Sequence, residues 1–202
     1  MLVSEIFRSL QGEGPNQGRP CTFIRLSGCN LRCAWCDTAY AREDGEEMSV
    51  GEVLDRVWLL NGKRICITGG EPLLQKEEVL ELLRKFGLHG YAVEIETNGT
   101  LDFRDLQPYA AVCMDVKCPS SGERSDLALL PFITPRDCVK FVVADEDDLL
   151  YARAVTAQCE IRGEIIISPV EGADYRAVAD YIVKENLPVR FQMQLHKILG
   201  MK

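Results

Sequence analysis

No stretch of this chain approaches the run of about 20 apolar residues that a membrane-spanning helix requires. It also lacks an internal repeat, a low-complexity tract and any long Pro/Gly/Ser linker, so the expected organisation is one domain over residues 1–202. Positive charge is in deficit: 23 Lys and Arg stand against 31 Asp and Glu, a net charge of −8. A protein that grips a nucleic-acid backbone displaces counterions with a basic face, so this balance argues against direct binding to RNA or DNA. Nor is a secretory leader expected. The opening residues MLVSEIFRSL place Glu5 and Arg8 where a signal peptide needs an uninterrupted apolar stretch, and the expected location is cytoplasmic.

What is present is ordinary in bulk. With 47% hydrophobic and 27% charged residues the composition is that of a globular protein. A chain of 202 residues buries about 70% of the surface it exposes when unfolded, enough for one sizeable core. The nine cysteines are the anomaly. Their number is odd, the chain is no small secreted scaffold, and three of them fall within residues 29–36. That usage points to metal, cluster or thiol chemistry in a reducing compartment.

Short apolar, β-branched runs at residues 21–26, 64–68, 91–97, 111–116, 138–143, 164–168 and 189–194 predict strands. Helix-period segments lie between several of them, at 50–60, 75–86, 146–158 and 173–186. The first opens with Ser49 three residues before Glu52, a capping box. Strands alternating with helices predict an α/β fold with a mostly parallel sheet and crossover helices, either an open doubly wound sheet or an incomplete barrel. The 116–138 stretch offers no long helix and the chain is at the lower size limit of a complete (β/α)8 barrel, which argues against that form. The segments GCNLRCAWCDT, GGEP, NGT, KCPSSGE, PVEG and LHK each follow the carboxyl end of a predicted strand. Parallel α/β sheets place their active sites at that end, so these loops are expected to converge on one site.

Cys29, Cys33 and Cys36 are spaced by three and then two residues. Three thiolates suit either zinc or an iron–sulfur cluster. Zinc would need a fourth ligand, with Cys118 or His196 as candidates, and structural zinc loops come as paired CxxC knuckles, of which this chain has no second copy. A cubane cluster held by three protein thiolates would leave one iron open. Cys21, Cys66, Cys113, Cys138 and Cys159 lie in or beside apolar segments and read as small core residues.

This loop resembles the radical S-adenosylmethionine (SAM) enzymes, whose motif is Cys-x3-Cys-x2-Cys with an aromatic before the last Cys, matched here by Trp35. EIFRSLQGEG, TFIRLSGCNLRCAWCDTAYA, ITGGEPLLQ, IETNGT, DVKCPSSGE and the terminal QLHK extend the likeness over essentially the whole chain. Together they resemble the 7-carboxy-7-deazaguanine synthase family. Activating enzymes of glycyl-radical proteins share WCDT-like sequence but lack QGEG.

The resemblance implies a single-domain incomplete TIM-type barrel and a lyase that contracts 6-carboxy-5,6,7,8-tetrahydropterin to 7-carboxy-7-deazaguanine with loss of ammonia, toward queuosine. It implies a 4Fe-4S cluster on Cys29, Cys33 and Cys36 whose open iron is chelated by SAM, a Mg²⁺ touched by Thr38, a flavodoxin- or ferredoxin-type electron donor, and a homodimer. It implies SAM contacts at Trp35, Cys36, Asp37, Gly70, Asp115, Val116, Lys117, Ser168, Pro169, Val170 and Glu171. The family often has Ser-Pro-Lys where this chain has Asp-Val-Lys, so Lys117 carries over better than Asp115. Substrate contacts are implied at Leu10, Gln11, Gly12, Arg25 and Thr68, with Glu13 a plausible addition. Arg25 is a long cation among Phe23, Ile24 and Leu26, out of place unless paired. It is expected to hold the substrate carboxylate, the alternative being a structural ion pair. Glu96 and Asn98 read either as a solvated turn or as donors and acceptors to ribose or pterin.

Overall fold

A computed structural model describes residues 1–202. Nine strands form one sheet in the spatial order β3-β1-β2-β4-β5-β6-β7-β8-β9. They are β1 (Leu2–Leu10), β2 (Pro20–Leu26), β3 (Glu46–Glu47), β4 (Arg64–Gly69), β5 (Ala92–Thr97), β6 (Ala111–Val116), β7 (Cys138–Val143), β8 (Glu164–Pro169) and β9 (Arg190–Phe191). From β2 through β9 the pairing is parallel and strictly sequential. A sequential order sends every crossover the same way, and because such crossovers are right-handed the helices gather on one face while the sheet curls about the other. With no pairing between its outer strands the sheet stays open, which is the expected partial barrel.

The helices are α1 (Val50–Leu59), α2 (Lys76–Leu88), α3 (Glu146–Gln158), α4 (Tyr175–Lys184) and α5 (Leu195–Leu199). Ser49 and Glu52 make the reciprocal capping box at the start of α1. No helix is long and apolar enough to cross a membrane. Alternation along each strand separates two environments. Ile24, Leu26, Ile65, Ile67, Ile95 and Met114 point to the helix side, where they are fully buried against residues such as Val57, Leu83 and Phe86. Each such side chain contributes about 1.5–3 kcal/mol on burial. Phe23, Arg25, Thr68, Glu96, Asp115 and Lys140 point the other way, into the mouth of the barrel. Cys21 and Cys66 pack there with Phe23, while Cys113 and Cys138, opposite each other on β6 and β7, pack with Ile166.

Several segments depart from expectation, among them the unpredicted short elements β3 and α5. Residues 2–10 form a strand that the charged opening concealed; it is antiparallel to β2 and bulged between Val3 and Glu5. The last strand keeps only Arg190–Phe191 of 189–194; Gln192 N still donates to Ile167 O at 3.0 Å, and the chain then leaves the sheet and brings Gln194 to the barrel mouth. The predicted 173–186 helix is trimmed to Tyr175–Lys184, with Asp174 accepting from Ala177 N as its cap.

Candidate active site

The loops after the parallel strands enclose one cavity of about 640 Å³, bounded by the QGEG loop, the cysteine loop, the GGEP turn and the C-terminal segment. The turn and the cysteine loop are fitted backbone to backbone. Gly70 N donates to Leu26 O at 3.0 Å and Glu71 N to Gly28 O at 2.8 Å. A Cβ on Gly70 would stand 2.0 Å from Gly28 O, and Gly69, at φ +140°, has no more room. Glu71 is wholly buried and fixes the next loop by accepting from Leu73 N, Thr97 Oγ1 and Asn98 N. Burial pushes its pKa up despite those bonds.

Cys29, Cys33 and Cys36 all line the cavity and are partly exposed. Cations flank them: Arg42 Nη2 reaches Cys33 O at 3.4 Å, and Lys117 lies over the Trp35 ring at 5.4 Å. Burial raises the Cys33 thiol, and Lys117 opposes that rise. Soft thiolates beside positive charge are the donor set an iron–sulfur cluster requires. Neither proposed fourth zinc ligand joins them. Cys118 is in the helix-side core with Sγ against Val116 O at 3.8 Å, and His196 is engaged with Asp37 at 3.6 Å. Asp37, despite the cost of burial, is held below the usual carboxylate range by His196 and Lys197. Thr38 lines the cavity with Oγ1 3.8 Å from Cys36 Sγ and makes no capping bond to the turn that follows it.

Of the expected SAM contacts, Trp35, Cys36, Asp37, Gly70, Asp115, Lys117, Val170 and Glu171 border the cavity. Val116 does not: its side chain is in the helix-side core, leaving only backbone available. Ser168 and Pro169 are buried behind the wall, and the Ser168 hydroxyl has no partner. All the expected substrate contacts, Leu10, Gln11, Gly12, Arg25 and Thr68, border the cavity, as do Glu13, Glu96 and Asn98. Thr68 Oγ1 donates to Glu96 at 3.0 Å, and the Gln11 amide lies between Glu94 and Glu96. Asn98 instead braces the cysteine loop through Asn30 at 2.9 Å.

Arg25 makes a structural ion pair and also borders the cavity. Its Nε donates to Glu5 at 2.9 Å, an ion pair between register neighbours of β1 and β2, while the guanidinium borders the cavity. Glu5 is also bonded by Tyr40 and Lys202. The most deeply placed cation, Lys140, was not among the candidates, although a Lys in the apolar run CVKFVV is the kind of anomaly that flagged Arg25.

The Radical SAM superfamily matches residues 23–116, the stretch from Phe23 through the cysteine loop to Val116. The 7-carboxy-7-deazaguanine synthase of Methanospirillum hungatei is 52% identical over 201 residues, covering 100% of this chain and 86% of its own. The chain belongs to the 7-carboxy-7-deazaguanine synthase family. The Koribacter versatilis family member is 38% identical across 98% of this chain and 96% of its own. The crystal structure of QueE from Escherichia coli superposes with a TM-score of 0.74 at 26% identity, over 96% of this chain and 94% of that one. Streptococcus suis SuiB bound to S-adenosylmethionine, at 14% identity and a TM-score of 0.58 over 85% of this chain and 48% of the other, shares the fold alone. Membership of this family within the radical SAM superfamily brings a 4Fe-4S cluster and SAM with it.

Proposed function

We propose that this synthase contracts 6-carboxy-5,6,7,8-tetrahydropterin to 7-carboxy-7-deazaguanine with loss of one ammonia, in queuosine and deazapurine biosynthesis. The observation that carries this reading is the meeting of Arg25, Gln11 and Thr68 with the three-cysteine loop in one cavity. Cys29, Cys33 and Cys36 would hold the cluster. Gly70, whose lack of a side chain lets the turn sit on the cysteine loop, would present backbone to SAM beside Asp115 and Lys117. When bound, the cluster and SAM would supply one-electron radical chemistry.

The chain's own residues hold the pterin. Glu5 fixes Arg25 through Nε and leaves the terminal nitrogens of the fork for the substrate carboxylate. Gln11, Thr68 and Glu96 form a hydrogen-bonded set that meets the polar edge of the ring system. Leu10 and Gly12 complete that wall, and the enclosing loops limit access of water to the reacting centre. An electron donor of the flavodoxin or ferredoxin type and a homodimeric assembly follow from the same family reading.

Formation of 5′-deoxyadenosine by the reconstituted protein should rise on addition of 6-carboxytetrahydropterin and be indifferent to polypeptides. Stimulation by a polypeptide and not by the pterin would favour glycyl-radical activation instead.

Thr38 is the proposed protein ligand of Mg²⁺. A hard cation prefers oxygen and retains several waters, so one hydroxyl plus substrate oxygens suffices. Adding Mg²⁺ to chelated enzyme should raise turnover several-fold, with a much weaker response in Thr38→Ala. Equal metal dependence in the two proteins would contradict the assignment.

A further inference from the structure

Lys140 sits mid-strand on β7, 5% exposed, and faces the barrel mouth. Its ammonium reaches Glu13 Oε2 at 2.5 Å on one side and Asp115 Oδ2 at 3.8 Å on the other. Asp115 is its register neighbour on β6 and is shared with Lys117 at 2.9 Å, while Lys117 lies over Trp35 of the cysteine loop. Glu13 belongs to the QGEG loop, and its second oxygen accepts from Gln194 at 2.8 Å. Charges of alternating sign therefore run across the cavity floor, Glu13, Lys140, Asp115, Lys117, from the loop that borders the substrate space to the loop that carries the three thiols. Asp115 Oδ1 is buried with no partner.

Burial opposes charge on Lys140, and Glu13 with Asp115 overcomes it and holds the ammonium well above its ordinary range. As a stabilising device this is a poor choice, since apolar residues of similar volume do as well in a protein interior. The neighbouring inward positions Cys113, Cys138 and Ile166 are such residues.

We propose that Lys140 is a positioning residue for the ring contraction: its ammonium ties the substrate-side loop, through Glu13, to the SAM-side carboxylate Asp115, and so sets the separation of the two halves of the cavity. The inference rests on the pterin reading above. With its ammonium engaged by Glu13 and Asp115, Lys140 is assigned a role through the loops it holds.

The test uses reconstituted wild-type protein, Lys140→Met, Glu13→Gln, the double variant and Lys140→Arg, with iron content measured in each. Lys140→Met should weaken binding of 6-carboxytetrahydropterin by about 10²-fold, the scale set by stranding one partner of a buried pair. Hydrogen exchange at residues 11–14 should quicken, and more 5′-deoxyadenosine should form per product. The double variant, in which Glu13 no longer carries a charge and Asp115 keeps Lys117 at 2.9 Å, should be no worse than Lys140→Met, and Lys140→Arg should recover most of the coupling. Wild-type affinity and exchange in Lys140→Met, or additive losses in the double variant, would overturn the proposal. Should Lys140→Met fail to accumulate, the double variant decides: weakened pterin binding supports the tie and wild-type binding refutes it. A wild-type protein that makes no deazaguanine would defeat the pterin reading, while the exchange at residues 11–14 would still report on the tie.

Discussion

Replacing Cys29, Cys33 and Cys36 together by alanine is expected to remove iron, the broad visible absorbance and 5′-deoxyadenosine formation in one step. The three thiols share one loop at the carboxyl end of β2, closed over Gly28 by the Gly70 turn and flanked by Lys117 and Arg42. None of the other six cysteines is in that loop: Cys113 borders the cavity from β6 but is buried, as are Cys21, Cys66, Cys118 and Cys138, and Cys159 follows α3. Burial pushes the Cys21 and Cys118 thiols far up, so they stay protonated and serve as packing rather than as thiolate ligands. Loss of the loop thiols therefore cannot be made good from the remaining set. Wild-type protein that reconstitutes with stoichiometric zinc and no iron would contradict this account, as would a triple variant that still binds iron and makes 5′-deoxyadenosine.

Arg25→Ala should keep its iron while losing product formation by about 10²–10³-fold, with the loss expressed mainly in pterin affinity or turnover efficiency. The guanidinium is only 13% exposed and faces a cavity whose protein carries a net charge of −8. An anionic substrate entering that environment needs a local cation, and a planar fork matches a carboxylate. The ion pair with Glu5 sharpens the prediction. Glu5→Gln leaves a hydrogen-bond acceptor for Nε and should cost much less than Arg25→Ala, because the fork still faces the cavity. Unchanged pterin binding in Arg25→Ala would make the Glu5 pair the whole of its role and place the carboxylate elsewhere.

How much of this could be read in the chain alone depends on whether a signal was local. The cysteine spacing, the glycines of GGEP and the alternation of Arg25 with Ile24 and Leu26 are local, and the structure puts each on the side the pattern requires. The capping box of α1 is local too. The strand over residues 2–10 was hidden because Glu5 and Arg8 interrupt its apolar alternation; most of its residues are half-buried and only Val3 of the nine is buried. With it was hidden Glu5, the partner of Arg25 from 20 residues away. The ties of Lys140 to Glu13, 127 residues distant, and of Gln192 to Gly14, 178 residues distant, exist only once the sheet has brought its ends together around the mouth. Val116 and Pro169 lie in segments adjacent to the site, yet strand alternation turns their side chains from it, while Ser168 shares the inward face of Ile166 and is fully buried there.

On the proposed function, one cavity brings the thiol-bound cluster and the carboxylated pterin together for a ring contraction. This is tested most directly by incubating the anaerobically reconstituted protein with SAM, a strong reductant and 6-carboxy-5,6,7,8-tetrahydropterin, then measuring products by mass spectrometry with an ammonia assay. The account predicts 7-carboxy-7-deazaguanine and ammonia in equal amounts, both dependent on SAM and on the three cysteines. Steady formation of 5′-deoxyadenosine with the pterin recovered unchanged would contradict it.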